Sequence, residues 1–292
     1  MRITTIGVLG CGQVAQGIAQ NVAHAKIDVI LCDEQESWLR GGVAGIELAI
    51  DSEISRWGLT TGDKKAILKR IKTTTNRQDL KAAQILIEAK GQTFEEKRDL
   101  FLEMESICPD TTLFMTNTTT ISISDIQRHL HLPERLIGLH FILPIPASVI
   151  VEVVKGIRTS DAVVQETKRL MDTLGKRAIE IYEYPGFVTS RIILPMINTA
   201  VQVLMEGLAT ADDIDDAIHL GYNLSLGPLA LADQIGIDVV LDSLDSIYRN
   251  LGDPTYRPSP LLRKMVREGK LGLKSGEGFF KYDERRRRIA KA

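Results

Sequence analysis

Apolar and polar positions follow two different rhythms along the chain. Residues 3–9 (ITTIGVL) are a short run of β-branched and aliphatic types, which predicts a buried strand. The run stops at 10-GCGQVAQG-17, and AQGIAQNVAHA then carries apolar residues at helical spacing. A second strand is predicted over 27-IDVILCD-33, then a long helical stretch over roughly 35–70, broken at Gly58 and at TTGD (60–63). Further strands are predicted at 84-QILIEA-89, 112-TLFMTN-117, 135-RLIGLHF-141 and 150-IVEVVKG-156. Apolar strands alternating with helices imply a mostly parallel sheet covered on both faces.

The rhythm changes after 184-YPGF-187. From Val188 to about Leu251 no strand-like run stands alone, and apolar residues recur three and four apart, with turns at 221-GYN-223 and 227-GP-228. The expected organisation is therefore an α/β domain over 1–184 followed by an all-α domain over 185–292, with the boundary near Pro185.

Composition narrows the picture without naming an activity. The 292 residues are 44% hydrophobic and 25% charged, with a net charge of −2, the profile of an ordinary globular protein long enough for two cores. No global basic field exists to hold a nucleic acid. Three cysteines (Cys11, Cys32 and Cys108) with no Cys-x-x-Cys spacing argue against a disulfide scaffold or a zinc site and fit a reducing compartment. The start of the chain does not read as a signal peptide, and no window approaches the length of a membrane span, so a soluble, cytoplasmic protein without a metal is expected. The basic tail 284-ERRRRIAKA-292 reads as a solvated terminus or an electrostatic contact surface.

The first chemistry lies in VLGCGQVAQG, which fits Gly-x-Gly-x-x-(Gly/Ala) with Gly10, Gly12 and Ala15 and sits between a strand and a helix. Gly10 permits a tight turn, Gly12 lets a pyrophosphate approach the backbone, and Ala15 lets the helix pack closely. Gln13 and Val14 open that helix. Asp33 ends the second strand, 23 residues after Gly10, where a carboxylate can accept from the adenosine ribose. No arginine follows within a few positions to meet a 2′-phosphate, so NAD is favoured over NADP in a Rossmann-type, doubly wound domain.

A dinucleotide domain followed by a helical one suggests a dehydrogenase, which needs a base for the alcohol proton. His24, His129, His131 and His219 fall on helices or in a polar loop, whereas His140 ends an apolar strand and Glu152 lies on the next. From the residues alone, that pair is either a satisfied core feature or an acid/base couple.

The chain resembles the 3-hydroxyacyl-CoA dehydrogenase family over essentially its whole length. The resemblance runs through the glycine motif, NTTTISI (117–123), GLHF (138–141) with Pro144, VEVV (151–154) and PGFVTSRI (185–192). It continues through ADDIDDAIHLG (211–221), GPLALADQIGIDVV (227–240) and KLGLKSGEGFFKY (270–282). It implies that His140 removes the 3-hydroxyl proton while Glu152 orients it, that Thr119 and Ser190 make supporting polar contacts, and that Glu88, Ala89, Gln92, Lys97 and Asn117 line the cofactor site. It also implies a homodimer. The apolar stretch 192–205 reads equally as an interface face or an internal core helix.

Four positions depart from the family pattern. Leu143 replaces an asparagine, Ser190 an asparagine, Thr119 a serine and Gln92 a glutamate that could have paired with Lys97. In addition, 223-NLSLGP-228 stands for Asn-His-Pro-Met-Gly-Pro, so Leu224 and Leu226 reshape an acyl pocket. Three readings follow: a 3-hydroxyacyl-CoA dehydrogenase, a dehydrogenase of hydroxyacyl groups on acyl carrier protein (such as glyceryl units in polyketide extender-unit biosynthesis), or a non-catalytic NAD-binding homologue. Lys64, Lys65, Lys69 and Arg70 read as a solvated helix face, or as partners for CoA phosphates or an acidic carrier.

Overall fold

The computed structural model describes residues 3–55, 58–91, 93–118, 121–283 and 287–289. The chain divides into two compact units, 1–183 and 184–292. In the first, strands β1 (Thr5–Leu9), β2 (Asp28–Cys32), β3 (Ile71–Thr74), β4 (Ile85–Glu88), β5 (Leu113–Asn117), β6 (Leu136–Phe141), β7 (Ile150–Lys155) and β8 (Arg177–Tyr182) form one sheet. Their order is β3-β2-β1-β4-β5-β6-β7-β8. All neighbours pair in parallel except β6 and β7, which are antiparallel.

The central strands are mostly apolar because both sheet faces are covered, with polar residues such as Glu88, Asn117 and His140 toward their carboxyl ends; β4 and β6 are buried at every position. Helix α1 (Gln13–His24) lays Ala15, Ile18, Ala19 and Val22 against the sheet at three- and four-residue spacing. The long helical stretch resolves into α2 (Glu36–Ser55) and α3 (Thr61–Lys69), and Thr60 with Asp63 forms the capping box that restarts the helix. Thr93 and Glu96 do the same for α4 (Phe94–Ile107). Helices α5 (Ile123–Gln127) and α6 (Asp161–Thr173) complete the unit.

Two strands were not expected from the sequence. Both lie at sheet edges, where β3 (IKTT) and β8 (RAIEIY) show solvent too much of their length to form apolar runs. The topology also fixes where a ligand belongs. Connections leave β1 toward β2 on one side and reach β4 on the other, so a crevice opens beyond the carboxyl ends of β1 and β4.

The second unit is helical: α7 (Thr189–Met205), α8 (Ala211–Tyr222), α9 (Pro228–Ile235), α10 (Ile237–Leu251) and α11 (Pro260–Arg267). Leu194, Ile197 and Val201 of α7 pack with Leu229, Val240 and Leu244. Most of the 192–205 stretch is therefore core, while Ile192 and Met205 face outward. Two buried acids tie the unit together. Asp215 accepts from the Leu229 and Ala230 amides at 2.7 and 2.8 Å, and Asp233 accepts from the Phe279 and Phe280 amides and the Tyr282 hydroxyl. In the basic tail, residues 284–286 and 290–292 lie outside the described residues, while Arg288 pairs with Asp212 and covers the Phe280 ring, tying it to its own unit. Among the described residues, no helix is long and apolar enough to cross a membrane.

Candidate active site

The glycine turn occupies the crevice edge after β1. Gly10 has φ +105°, and a Cβ there would stand 2.8 Å from the Ala89 carbonyl oxygen, so β1 and the end of β4 approach closely only because no side chain intervenes. Gly12 caps α1 without any side-chain hydrogen bond, and a Cβ built on it would meet nothing within 4 Å. Open space in front of uncapped helix amides is the cradle a pyrophosphate fills. Gln13 is exposed beside it, Val14 is half-buried, and Ala15 is fully buried under the sheet.

Asp33 follows β2 at the same end of the sheet and is only 7% exposed. Its Oδ1 accepts from the Glu34 amide and the Lys90 ammonium, each at 2.8 Å, and its Oδ2 accepts from the Cys11 thiol at 2.9 Å. Burial opposes the charge, but the thiol, the ammonium and the amide outweigh it and hold the carboxyl below its usual range. Burial and the facing Asp33 push the Cys11 thiol up to about 12, so it stays protonated as a donor. Sequence reasoning missed both partners. The available signal was topological: β4 neighbours β1 with Leu9 opposite Glu88, so a residue just beyond β4 lands beside the glycine turn.

Glu88 is fully buried and gathers four donors. Its Oε1 accepts from the Lys90 and Gly91 amides at 2.7 and 2.9 Å, and its Oε2 from the Thr116 hydroxyl at 2.6 Å and the Lys97 ammonium. Lys97, itself 2% exposed, also donates to the Asn117 carbonyl at 3.1 Å. Gln92 lies outside the described residues, yet the partner missing at that position is supplied by Glu88. The cluster shapes the turn 89–91, where Ala89 is half-buried, and joins it to Asn117, whose side-chain Oδ1 accepts from the Phe141 amide at 3.4 Å.

His140 and Glu152 stand directly opposite one another in the antiparallel β6–β7 ladder, so both side chains project from one face. His140 Nδ1 lies 2.6 Å from Glu152 Oε2, and the carboxylate is fully buried. A proton on Nδ1 directed at the carboxylate leaves the ring's basic lone pair on Nε2, the tautomer a general base requires. Close packing holds the strand in place: a Cβ at Gly138 would stand 2.2 Å from Ile123 Cδ1 of α5. Beyond His140, Leu143 is half-buried against the core of the unit, and the buried Lys176 ammonium donates to the Ile145 and Ser148 carbonyls at 2.6 Å each. Thr119 lies outside the described residues. Ser190 is half-buried in the first turn of α7, in the second unit. Among the described residues no cluster of His, Cys, Asp or Glu could hold a metal ion. Lys64 pairs with Asp51, and Arg70 with Asp28, both at the surface.

Comparison with known proteins bears on this geometry. The 3-hydroxyacyl-CoA dehydrogenase NAD binding domain matches residues 5–184, and the C-terminal domain of the same family matches residues 186–282. The chain belongs to the 3-hydroxyacyl-CoA dehydrogenase family. A probable 3-hydroxybutyryl-CoA dehydrogenase of Bacillus subtilis is 37% identical over 285 residues, covering 98% of this chain and 99% of that one. One from Deinococcus radiodurans is 40% identical over 276 residues, covering 94% and 99%. The crystal structure of (S)-3-hydroxybutyryl-CoA dehydrogenase from Ralstonia eutropha superposes with a TM-score of 0.85 at 38% identity, over 97% of this chain and all of that one. Like its family, the protein is an NAD-dependent oxidoreductase. The open cradle before α1 and the carboxylate after β2 are the features that fit the cofactor.

Proposed function

We propose that the protein oxidises the 3-hydroxyl of a 3-hydroxyacyl thioester, with His140 as general base and Glu152 as its orienting carboxylate. The observation that carries this reading is the 2.6 Å contact between Nδ1 and the buried carboxylate, built into a strand register. NAD, when bound, supplies the acceptor for the hydride that leaves C3. His140 Nε2 takes the hydroxyl proton as the C3–O bond becomes a carbonyl, and Glu152 stabilises the imidazolium that results. The reverse direction returns that proton to the oxygen of a 3-oxoacyl group.

Gly10, Gly12, Gln13, Val14 and Ala15 hold the pyrophosphate end of the cofactor and Asp33 the adenosine ribose. Glu88, Ala89, Lys97 and Asn117 shape the wall toward the nicotinamide, and Gln92 belongs to the same cofactor site. Thr119 and Ser190 act as polar contacts of the substrate oxygen. The relatives' names favour a short-chain acyl-CoA substrate. The departures from the family pattern at Leu143 and Ser190 favour an altered substrate, and a hydroxyacyl group on a carrier protein is the second reading. The protein acts as a cytoplasmic homodimer, for which the outward-facing Ile192, Leu208, Leu220 and Tyr222 of the second unit offer apolar surface.

The test is His140→Gln, with NAD binding and NADH formation measured separately across CoA-linked and carrier-linked 3-hydroxyacyl substrates. NAD affinity is expected to stay unchanged while turnover falls about a thousandfold. Turnover that survives the substitution refutes His140 as the base. NAD binding by the unsubstituted protein with no turnover on any substrate would instead favour the non-catalytic reading.

A further inference from the structure

The adenosine subsite carries a positive charge that its sequence motif does not announce. Lys90 Nζ stands 2.8 Å from Asp33 Oδ1 and 2.9 Å from Glu34 Oε1, between the two carboxylates that would face the ribose 2′ position. Its position is built rather than incidental. The Lys90 amide is anchored on Glu88, its stem runs along the Gly10 turn, and its ammonium lies 5.6 Å from the Trp38 ring centroid. Burial works against the ammonium, but the Asp33 and Glu34 carboxylates more than compensate and raise its affinity for the proton. A carboxylate after β2 favours a ribose diol and repels a 2′-phosphate, which brings nearly two negative charges. An ammonium wedged between two such carboxylates cancels part of that repulsion. With two donors engaged, it retains the capacity for a third bond, to a phosphate oxygen.

We propose that Lys90 is a specificity-determining residue of the cofactor site, narrowing the preference for NAD over NADP that Asp33 and Glu34 set. The inference rests on Asp33 as the ribose acceptor, and the experiment separates the two. Calorimetric titration of NAD and of NADP into the full-length protein, at one pH and salt concentration, gives the ratio Kd(NADP)/Kd(NAD) without any turnover. Lys90→Gln is expected to raise that ratio about tenfold, mainly by weakening NADP, and Lys90→Arg to leave it within about threefold. Asp33→Asn is expected to lower the ratio. Arg40→Gln removes a nearby exposed charge that is paired with Glu36 and should leave the ratio unchanged.

A ratio for Lys90→Gln within about twofold of the unsubstituted protein, beside a lowered ratio for Asp33→Asn, overturns the role of Lys90 while leaving the subsite standing. An equal effect from Arg40→Gln also overturns it, because the cause would then be net charge and not position. No change on Asp33→Asn puts the ribose elsewhere and removes both readings.

Discussion

Glu88 and Lys97 form a fully buried ion pair, and removing either partner should destabilise the first unit unequally. In Glu88→Gln the buried Lys97 ammonium loses its counter-charge and is left with neutral acceptors, the Asn117 carbonyl and the amide oxygen of the new side chain. We expect a loss of about 4 kcal/mol, because a buried ammonium is left without its counter-charge. In Lys97→Met the Glu88 carboxylate keeps the Lys90 and Gly91 amides and the Thr116 hydroxyl. Those three donors still satisfy the carboxylate, so the expected loss is smaller, about 2 kcal/mol. Urea denaturation followed by tryptophan emission reads the first unit selectively, since Trp38 and Trp57 are the only tryptophans in the chain. Losses below about 1 kcal/mol for both variants, or a larger loss for Lys97→Met than for Glu88→Gln, would refute the reasoning.

Gly12→Ala meets no atom and has an ordinary φ of −67°, so stability should stay within about 0.5 kcal/mol while NAD affinity falls at least about tenfold by calorimetry. Lys176→Met strips two carbonyls of their donor and should cost about 2 kcal/mol, with faster amide exchange at Ala147 and Ser148. Burial pushes Asp233 up to about 6, against the Phe279 and Phe280 amides and the Tyr282 hydroxyl, which pull it down. Since the folded value lies above the ordinary one, its contribution of about 3 kcal/mol is present below about pH 4 and lost as pH rises through 6. Exchange protection of the Phe279 and Phe280 amides, corrected for intrinsic rates, should therefore be higher at pH 5 than at pH 7.

Much of the fold was legible in the sequence, because strands buried on both faces leave continuous apolar runs. The predicted runs ending at Leu9, Asp33, Ala89, Asn117 and Phe141 all contain strands, two of which stop one residue earlier, at Cys32 and Glu88. The edge strands β3 and β8 left no such mark, since half their side chains belong to solvent. The antiparallel turn between β6 and β7 was equally invisible, because direction depends on pairing and not on composition. In the site, the glycine turn and Asp33 could be read because their spacing is local. Lys90 and Cys11 could not be assigned to Asp33, since they meet it only through the order of strands across the sheet. For the same reason Lys97 looked deprived of a partner by Gln92, although Glu88 reaches it from the end of a strand.

Pairing His140 with Glu152 through a strand ladder separates what must be conserved from what can vary. A slip of one residue would turn one of the two side chains to the opposite sheet face, so the pair is secured by backbone hydrogen bonding along β6 and β7. The connecting residues 142–149 are held from another direction, by the Lys176 ammonium donating to the Ile145 and Ser148 carbonyls. An engineer could therefore recompose side chains in this segment, Leu143 included, at unchanged length and leave the ladder that aligns the two side chains in place.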